Sequence, residues 1–585
     1  MASNIPDQTQ WLSDLLKSQQ QTLFGAFGAF GGQPPGAGDA GTQAGAAAMM
    51  APWLEAAKSF TAWQQQSLQQ MAGLGFGMLP GLATAFGGGD AAAASAAPKD
   101  RRFAGEAWAS DPRFDITAKT YLTQADALQR ALAAAPLDDR VKGQWSFMLR
   151  QVVDALSPAN WLATNPEALK TALDSGGQSL VEGTKLFMQD LAKGRVSMTD
   201  ETAFEVGVNV ALTPGNVVFE NGLMQLIQYT PTTAKVHQLP LVIVPPCINR
   251  YYILDLQPEN SLVGYAVSQG HTVFLVSWRS AGPAQETLTW DDYLRDGVIQ
   301  ALDVARAIGQ VERVNALGFC IGGALLTSAL AVLAAGGERK VESLTLLTTM
   351  LDYSNTGELG LLISEQSVAS REATIGKKGL LHGRELAQVF AALRANDLIW
   401  PYVVNGYLQG KAPPAFDLLF WNGDDSNLPG PMYCWYLRET YLENKLRVPG
   451  GTIQCGVPVD LKQVDAPAFL YASREDHIVP WQAAYESTQL LGGETTFVLG
   501  ASGHIAGVIN PPAKKKRNYW VGPNAPQADA WLEAAQSEPG SWWPVWSEWL
   551  GRYAGSQVNA PKAAGNAEFP PIEPAPGRYV KEKAV

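Results

Sequence analysis

The hexapeptide Gly318-Phe319-Cys320-Ile321-Gly322-Gly323 lies between two apolar runs of different character. Before it, Arg313-Val314-Asn315-Ala316-Leu317 reads as a strand; after it, the run from Ala324 to Ala335 reads as a helix. A strand that turns sharply into a helix around a nucleophilic side chain is a nucleophile elbow. It demands a sheet of parallel strands with helices packed on it, because the reactive group must project from the carboxyl edge of a strand. The glycines have a mechanical reason to be there: the turn strains the backbone of its central residue and leaves no room for side chains on either side. Cys320 occupies that central position, where the positive end of the following helix favours a thiolate. A free cysteine is more commonly a small buried residue; the flanking glycines favour the reactive use.

A nucleophile of this kind needs an acid and a histidine, in the chain order nucleophile, acid, histidine. The chain has five histidines. His237 and His271 precede the elbow, and His382 lies in a polar helical stretch with no strand before it. His477 and His504 remain. Pro467-Ala468-Phe469-Leu470-Tyr471-Ala472 reads as a buried strand and runs into Ser473-Arg474-Glu475-Asp476-His477-Ile478-Val479-Pro480. Thr495-Thr496-Phe497-Val498-Leu499 reads as a second strand and runs into Gly500-Ala501-Ser502-Gly503-His504. Asp476 and His504 therefore fall at carboxyl ends of parallel strands, where open sheets collect their active sites. In the resulting Cys-His-Asp triad, His504 takes the proton of Cys320, and Asp476 orients the imidazole and stabilises its charged form. His477 has either a supporting role near the site or a structural one. For an oxyanion, one donor is the backbone N–H of Ile321; the other belongs to the loop after the strand Leu239-Pro240-Leu241-Val242-Ile243-Val244. In that loop Cys247 and Ile248 both qualify. The fold class expected is an α/β-hydrolase.

The segments PPCINRYYILDLQPENSLV, GHTVFLVSWR, TWDDYL, LGFCIGG, FDLLFWNGDDSNLPGPMYCWYLR, SREDHIVPW and GASGHIAGVINPPAKKKR resemble those of the class I polyhydroxyalkanoate synthases, from about Asp100 onward. The resemblance implies an enzyme that polymerises (R)-3-hydroxyacyl-CoA, with short acyl chains such as 3-hydroxybutyryl, into a storage polyester with release of CoA. It implies Cys320 as the acyl carrier, His504 as base and Asp476 as the acid, or as the group that activates the hydroxyl of the chain. It places Arg394 near the CoA entrance, and His477 is grouped with it as a candidate substrate-binding residue. No cofactor is implied, since CoA is part of the substrate and a product. The implied partners are the growing polyester, the granule surface, granule-coat proteins and a second copy in a homodimer; the implied location is cytoplasmic, on polyester granules.

The interval between the strand Leu344-Thr345-Leu346-Leu347-Thr348 and the strand at Pro467 is far longer than one connecting helix needs. A cap inserted at about 352–465 is expected there, over the carboxyl edge, where it would gate access and exclude water. Trp400-Pro401-Tyr402, Phe420-Trp421 and Tyr433-Cys434-Trp435-Tyr436 are its aromatic clusters, read as core before channel lining. A net charge of -12 argues against nucleic acid as a partner. The basic run Lys514-Lys515-Lys516-Arg517 reads as a solvated face. Cys247, Cys320, Cys434 and Cys455 are too few and too scattered for a disulfide scaffold, and no spacing suggests a metal site. A reduced compartment and the absence of a secretory leader are expected. Residues 1–100 read as a flexible segment, with Gly- and Ala-rich stretches at Gly25 to Gly45 and Met71 to Ala97 that do not suit a membrane span. Residues 101–200 read as a helical domain, and 201–585 as the catalytic domain. Ser541-Trp542-Trp543-Pro544-Val545-Trp546-Ser547-Glu548-Trp549-Leu550 reads as a helix packed inward on the core rather than as an exposed apolar surface.

Overall fold

The computed structural model describes residues 100–584, so the expectations for the first 99 residues lie outside it. The periodic stretches between 112 and 193 form four helices: α1 (Pro112–Ala134), α2 (Asp139–Ala155), α3 (Pro166–Asp174) and α4 (Gln178–Lys193). Their ends follow from local chemistry. Asp111 caps α1 through Arg113 N with Pro112 at the first position, and Asn165 caps α3 with Pro166 likewise placed. Gly194, at φ 70°, closes α4 in the left-handed conformation that glycine tolerates.

The chain divides into two compact units. One gathers the described residues 100–137 with Met148–Ser197 and Ala395–Pro413. Its small core holds Phe103, Trp108, Ala118 and Ala159, with Phe103 edge-on to Trp108 at 4.8 Å. Arg102 ties this core together, donating to Asp100, to Tyr121 Oη at 3.1 Å and to Asp154 Oδ1 at 3.1 Å. Ala395–Pro413, which falls within the expected cap interval, belongs to this unit because Tyr407 donates to Asp190 Oδ2 (2.8 Å) and packs edge-on against Phe187 of α4.

The second unit is built on a mixed sheet. Its strands are β1 (Gly215–Glu220), β2 (Met224–Tyr229), β3 (Leu241–Val244), β4 (Val273–Trp278), β5 (Val314–Phe319), β6 (Val341–Leu347), β7 (Ala468–Ser473), β8 (Thr495–Gly500), β9 (Asn518–Val521), β10 (Gln536–Pro539) and β11 (Glu573–Pro574). They lie in the order β10-β9-β8-β7-β6-β5-β3-β4-β2-β1-β11. The six central strands, β8 to β4, are mutually parallel, and antiparallel strands close both sides. Every residue of β3, β4, β5 and β7 is buried, as expected for strands covered on both faces. Alternate residues serve opposite faces: Val242 and Val244 face the layer containing α5 (Ile321–Ala335), while Leu241 and Ile243 face the layer containing α10, defined below.

Further helices of this unit matter to the site: α6 (Gly383–Leu393), α7 (Gly430–Tyr436), α8 (Trp481–Leu490), α9 (His504–Val508) and α10 (Trp543–Gly551). The tryptophans of the 541–550 cluster face inward: Trp542, Trp543, Trp546 and Trp549 are buried, and Trp542 stacks on Tyr471 at 4.2 Å. Phe420 packs against Phe204 and Tyr252, and Trp421 is buried with them. Among the described residues no helix is long and apolar enough to cross a membrane.

Candidate active site

At the junction of β5 and α5, Cys320 has φ 54° and ψ −126°, outside the regions that side-chain-bearing residues prefer. Hydrogen bonds hold it there: its N–H donates to Leu347 O (2.9 Å), and its carbonyl accepts from Gly323 N (2.9 Å), Thr349 Oγ1 (3.2 Å) and Ala324 N (3.4 Å). The glycines are required by close approach. A Cβ on Gly318 would sit 2.4 Å from Gly323 Cα, and one on Gly322 would sit 2.3 Å from Val244 O. Cys320 is half-buried and immediately precedes α5, whose first N–H groups, Ile321 included, have no intrahelical acceptor.

Asp476 follows β7 and His504 opens α9 after β8, so two neighbouring parallel strands (β7 and β8 pair from Ala468↔Thr495 to Ser473↔Gly500) deliver both side chains to one edge. His504 Nδ1 is 2.6 Å from Asp476 Oδ2, and both side chains are buried. The other carboxylate oxygen accepts from Ile478 N (2.8 Å) and Val479 N (2.9 Å). Asp476 thus accepts three hydrogen bonds that pin it, and Nε2 is the His504 nitrogen left for Cys320, with whose sulfur the imidazole interacts electrostatically. Burial disfavours the charged ring, but the charge of Asp476, the nearby sulfur and the hydrogen bond to Asp476 outweigh it and push the His504 pKa up to about 10. Phe319 stacks on the ring at 5.7 Å. From behind, Trp542 Nε1 donates to Gly507 O (3.1 Å) and Trp543 Nε1 to Val508 O (2.9 Å), so buried indoles fix the short helix that carries His504.

His477 is half-buried, and its Nδ1 has no hydrogen-bond partner among the described residues. Burial lowers its pKa to about 4; Arg394 and His504 push the same way against Asp476 and Glu358. Arg394, exposed at the end of α6, therefore lies within electrostatic reach of His477. Cys247 is buried beyond β3 and interacts electrostatically with Cys320; burial and that neighbour hold its thiol protonated, well above the usual cysteine range. Ile248 packs on the core beside it.

Sequence reasoning did not single out Tyr353 and Tyr441; Tyr353 is buried, Tyr436 and Tyr441 are half-buried, and all three rings interact electrostatically with Cys320. Tyr353 Oη donates to Tyr436 Oη (3.3 Å), and Tyr441 meets both rings edge-on at 5.0 and 5.5 Å. Only Tyr436 fell in a recognised aromatic stretch; the five-residue step to Tyr441 crosses a π-helical turn, Leu437–Leu442, that helical periodicity does not reveal. Trp400-Pro401-Tyr402 belongs to the other unit.

Known proteins extend this picture. A family model described as "Poly-beta-hydroxybutyrate polymerase (PhaC) N-terminus" matches residues 99–266, and one described as "alpha/beta hydrolase fold" matches residues 240–511. The chain is 56% identical over 491 residues to the poly(3-hydroxyalkanoate) polymerase subunit PhaC of Cupriavidus necator, covering 83% of each chain. It is 43% identical over 495 residues to the poly(3-hydroxyalkanoate) polymerase of Methylorubrum extorquens, covering 83% of this chain and 81% of that one. It is 40% identical over 492 residues to the PhaC subunit of Rhizobium meliloti, covering 83% and 80%. On this evidence the chain belongs to the poly(3-hydroxyalkanoate) polymerases, a family of enzymes built here on an α/β-hydrolase fold.

Proposed function

We propose that the protein is an acyltransferase that joins short (R)-3-hydroxyacyl-CoA units, such as 3-hydroxybutyryl-CoA, into polyester with release of CoA. The observation that carries this reading is the strained Cys320 facing an imidazole that Asp476 holds at 2.6 Å. The Cys320 thiolate attacks the thioester carbonyl; the C–S bond to CoA breaks, and the His504 imidazolium protonates the departing CoA sulfur. Neutral His504 then takes the proton of a 3-hydroxyl, whose oxygen attacks the acyl-Cys320 thioester. The new ester C–O bond forms as the Cys320–acyl bond breaks, and the thiolate–imidazolium pair is restored. Exchange of one thioester for another is nearly balanced, whereas a serine ester would pass its acyl group on more slowly. The burial of the Asp476 carboxylate and the three hydrogen bonds it already accepts support its role as the orienter of His504 over direct deprotonation of the hydroxyl.

The transient oxyanion is assigned to the Ile321 N–H together with an amide of Cys247 or Ile248. Arg394 is assigned to CoA phosphates at the entrance, with His477 between it and the triad. Tyr353, Tyr436 and Tyr441 help to keep water from the acyl-enzyme. The protein acts as a cytoplasmic homodimer on the granule surface, in contact with granule-coat proteins. Purified protein supplied with (R)-3-hydroxybutyryl-CoA should release CoA and accumulate insoluble polyester. Free hydroxy acid in place of polymer would instead identify a hydrolase.

A further inference from the structure

We propose that the segment Tyr579–Lys583 is a positioning strap for the oxyanion loop and that it acts through Arg250. This rests on the assignment of an oxyanion donor to the loop of residues 245–250. That loop and the start of α5 are in backbone contact, since a Cβ on Gly322 would lie 2.3 Å from Val244 O and 2.6 Å from Pro245 O. A small shift of the loop therefore changes the distance from the Cys247 and Ile248 amides to the reacting carbonyl.

The near end of the loop is held by Trp278, whose Nε1 donates to Pro245 O at 2.9 Å. The far end is Arg250. Its carbonyl accepts from Trp421 Nε1 (2.7 Å), and its side chain is only 1% exposed. For a guanidinium buried to that degree each hydrogen bond made counts, because taking it from water is costly unless hydrogen bonds compensate. Two of its nitrogens donate to carbonyls of the strap: Nη1 to Tyr579 O at 3.5 Å and Nη2 to Glu582 O. Its partner charge is Asp424 at 3.7 Å, a carboxylate that also accepts from Tyr252 Oη (2.9 Å) and from Lys583 Nζ (2.9 Å) of the strap. Asp424 thus serves two cations; Arg250 Nε, 3.7 Å from it, has no hydrogen-bond partner among the described residues, and the carbonyls that the guanidinium does reach both come from the strap.

The strap has its own anchors on the sheet. Arg279, which follows β4, grips the Glu582 carboxylate with Nε at 2.8 Å and Nη2 at 3.2 Å, and lies 4.6 Å over the Tyr579 ring. Tyr579 Oη donates to Asn221 O (2.8 Å) and Tyr579 N to Gln225 Oε1 (3.2 Å). Load passes from β2 and β4 through the strap to Arg250, and from Arg250 to the amides of Cys247 and Ile248, three and two residues earlier.

The test separates oxyanion positioning from general support of the fold. Acylation of Cys320 by a thioester passes through an oxyanion; alkylation of the same sulfur by iodoacetamide does not. In a variant ending at Arg578, and in Arg250→Met, kcat for CoA release from (R)-3-hydroxybutyryl-CoA should fall by about 10- to 100-fold, a fraction of what losing a whole oxyanion donor costs. KM and the Cys320 alkylation rate should stay within about twofold. If those variants do not fold, Arg279→Gln, which alters a half-exposed tether, should show the same split at about 3- to 10-fold. Unchanged CoA release in the variants overturns the proposal and leaves the polymerase reading intact. Alkylation that falls in step with CoA release overturns it too, since the strap would then merely support the fold. A wild-type protein that alkylates normally but releases no CoA defeats the functional reading itself, and the proposal with it.

Discussion

Cys320 is the residue on which the proposed chemistry turns, and it sits in a costly backbone conformation: a side-chain-bearing residue at φ 54° costs on the order of 1–3 kcal/mol, which the surrounding hydrogen bonds must offset. Cys320→Ala should lower CoA release by at least about 10³-fold while leaving the unfolding midpoint little changed, because in the proposed mechanism no other group carries the acyl chain. Activity near the wild-type level in that variant would sink the covalent mechanism. The titration of His504 gives a second check. Burial opposes the charged ring, but the charge of Asp476 holds the His504 proton well above the ordinary histidine range, at about 10. The alkaline limb of kcat/KM should therefore lie far above pH 6.5, and in Asp476→Asn it should move toward lower pH. That variant should also lose about 10²- to 10⁴-fold in kcat, because its amide no longer holds the imidazole in the right tautomer. A limb that stays in place in Asp476→Asn would show that the carboxylate does not tune the pair.

At the scale of elements, the site is a set of short connections made stiff by what lies behind them. The elbow tolerates no Cβ at Gly322, so Gly322→Ala should overpack it against Val244 O and destabilise the protein by about 1–3 kcal/mol, read as a lowered urea midpoint. The helix α9 is only five residues long and does not hold His504 by itself. Trp542→Phe keeps a ring against Tyr471 but leaves the Gly507 carbonyl without its donor, at a cost of about 1–3 kcal/mol. We expect that variant to lower both stability and kcat; a fall in stability alone would place the rigidity of α9 elsewhere. These supports explain how much of the site was legible from residues alone. Strand, elbow and helix are local patterns, and the order nucleophile, acid, histidine needs only successive strands of one sheet. The indole that braces α9, and the π-helical turn that brings Tyr441 beside Tyr436, answer to packing and leave no periodic trace.

The whole molecule feels the buried pair as a dependence of stability on pH. His504 has a folded pKa of about 10 against about 6.5 in an unfolded chain, so its contribution is complete below about pH 6.5 and is lost as pH rises through about 10. The unfolding free energy of the wild type should decline across that window, and His504→Gln should flatten the decline; an equal slope in both would mean that other groups govern it. Composition and pattern had already determined the class: alternating apolar runs and helices, a glycine-flanked cysteine, and two polar loops after buried strands admit few arrangements other than a parallel sheet with its reactive groups along one edge. Such information lies within a few residues of each position, where backbone sterics and periodicity act. Which distant groups meet was decided by the tertiary structure. Arg250 reaches carbonyls 329 and 332 positions away, and Ala395–Pro413, within an interval that reads as one cap, belongs to the unit of the early helices. These pairings follow from the cost of leaving buried charges and polar groups without partners once the chain is compact, a condition that no local window of sequence expresses.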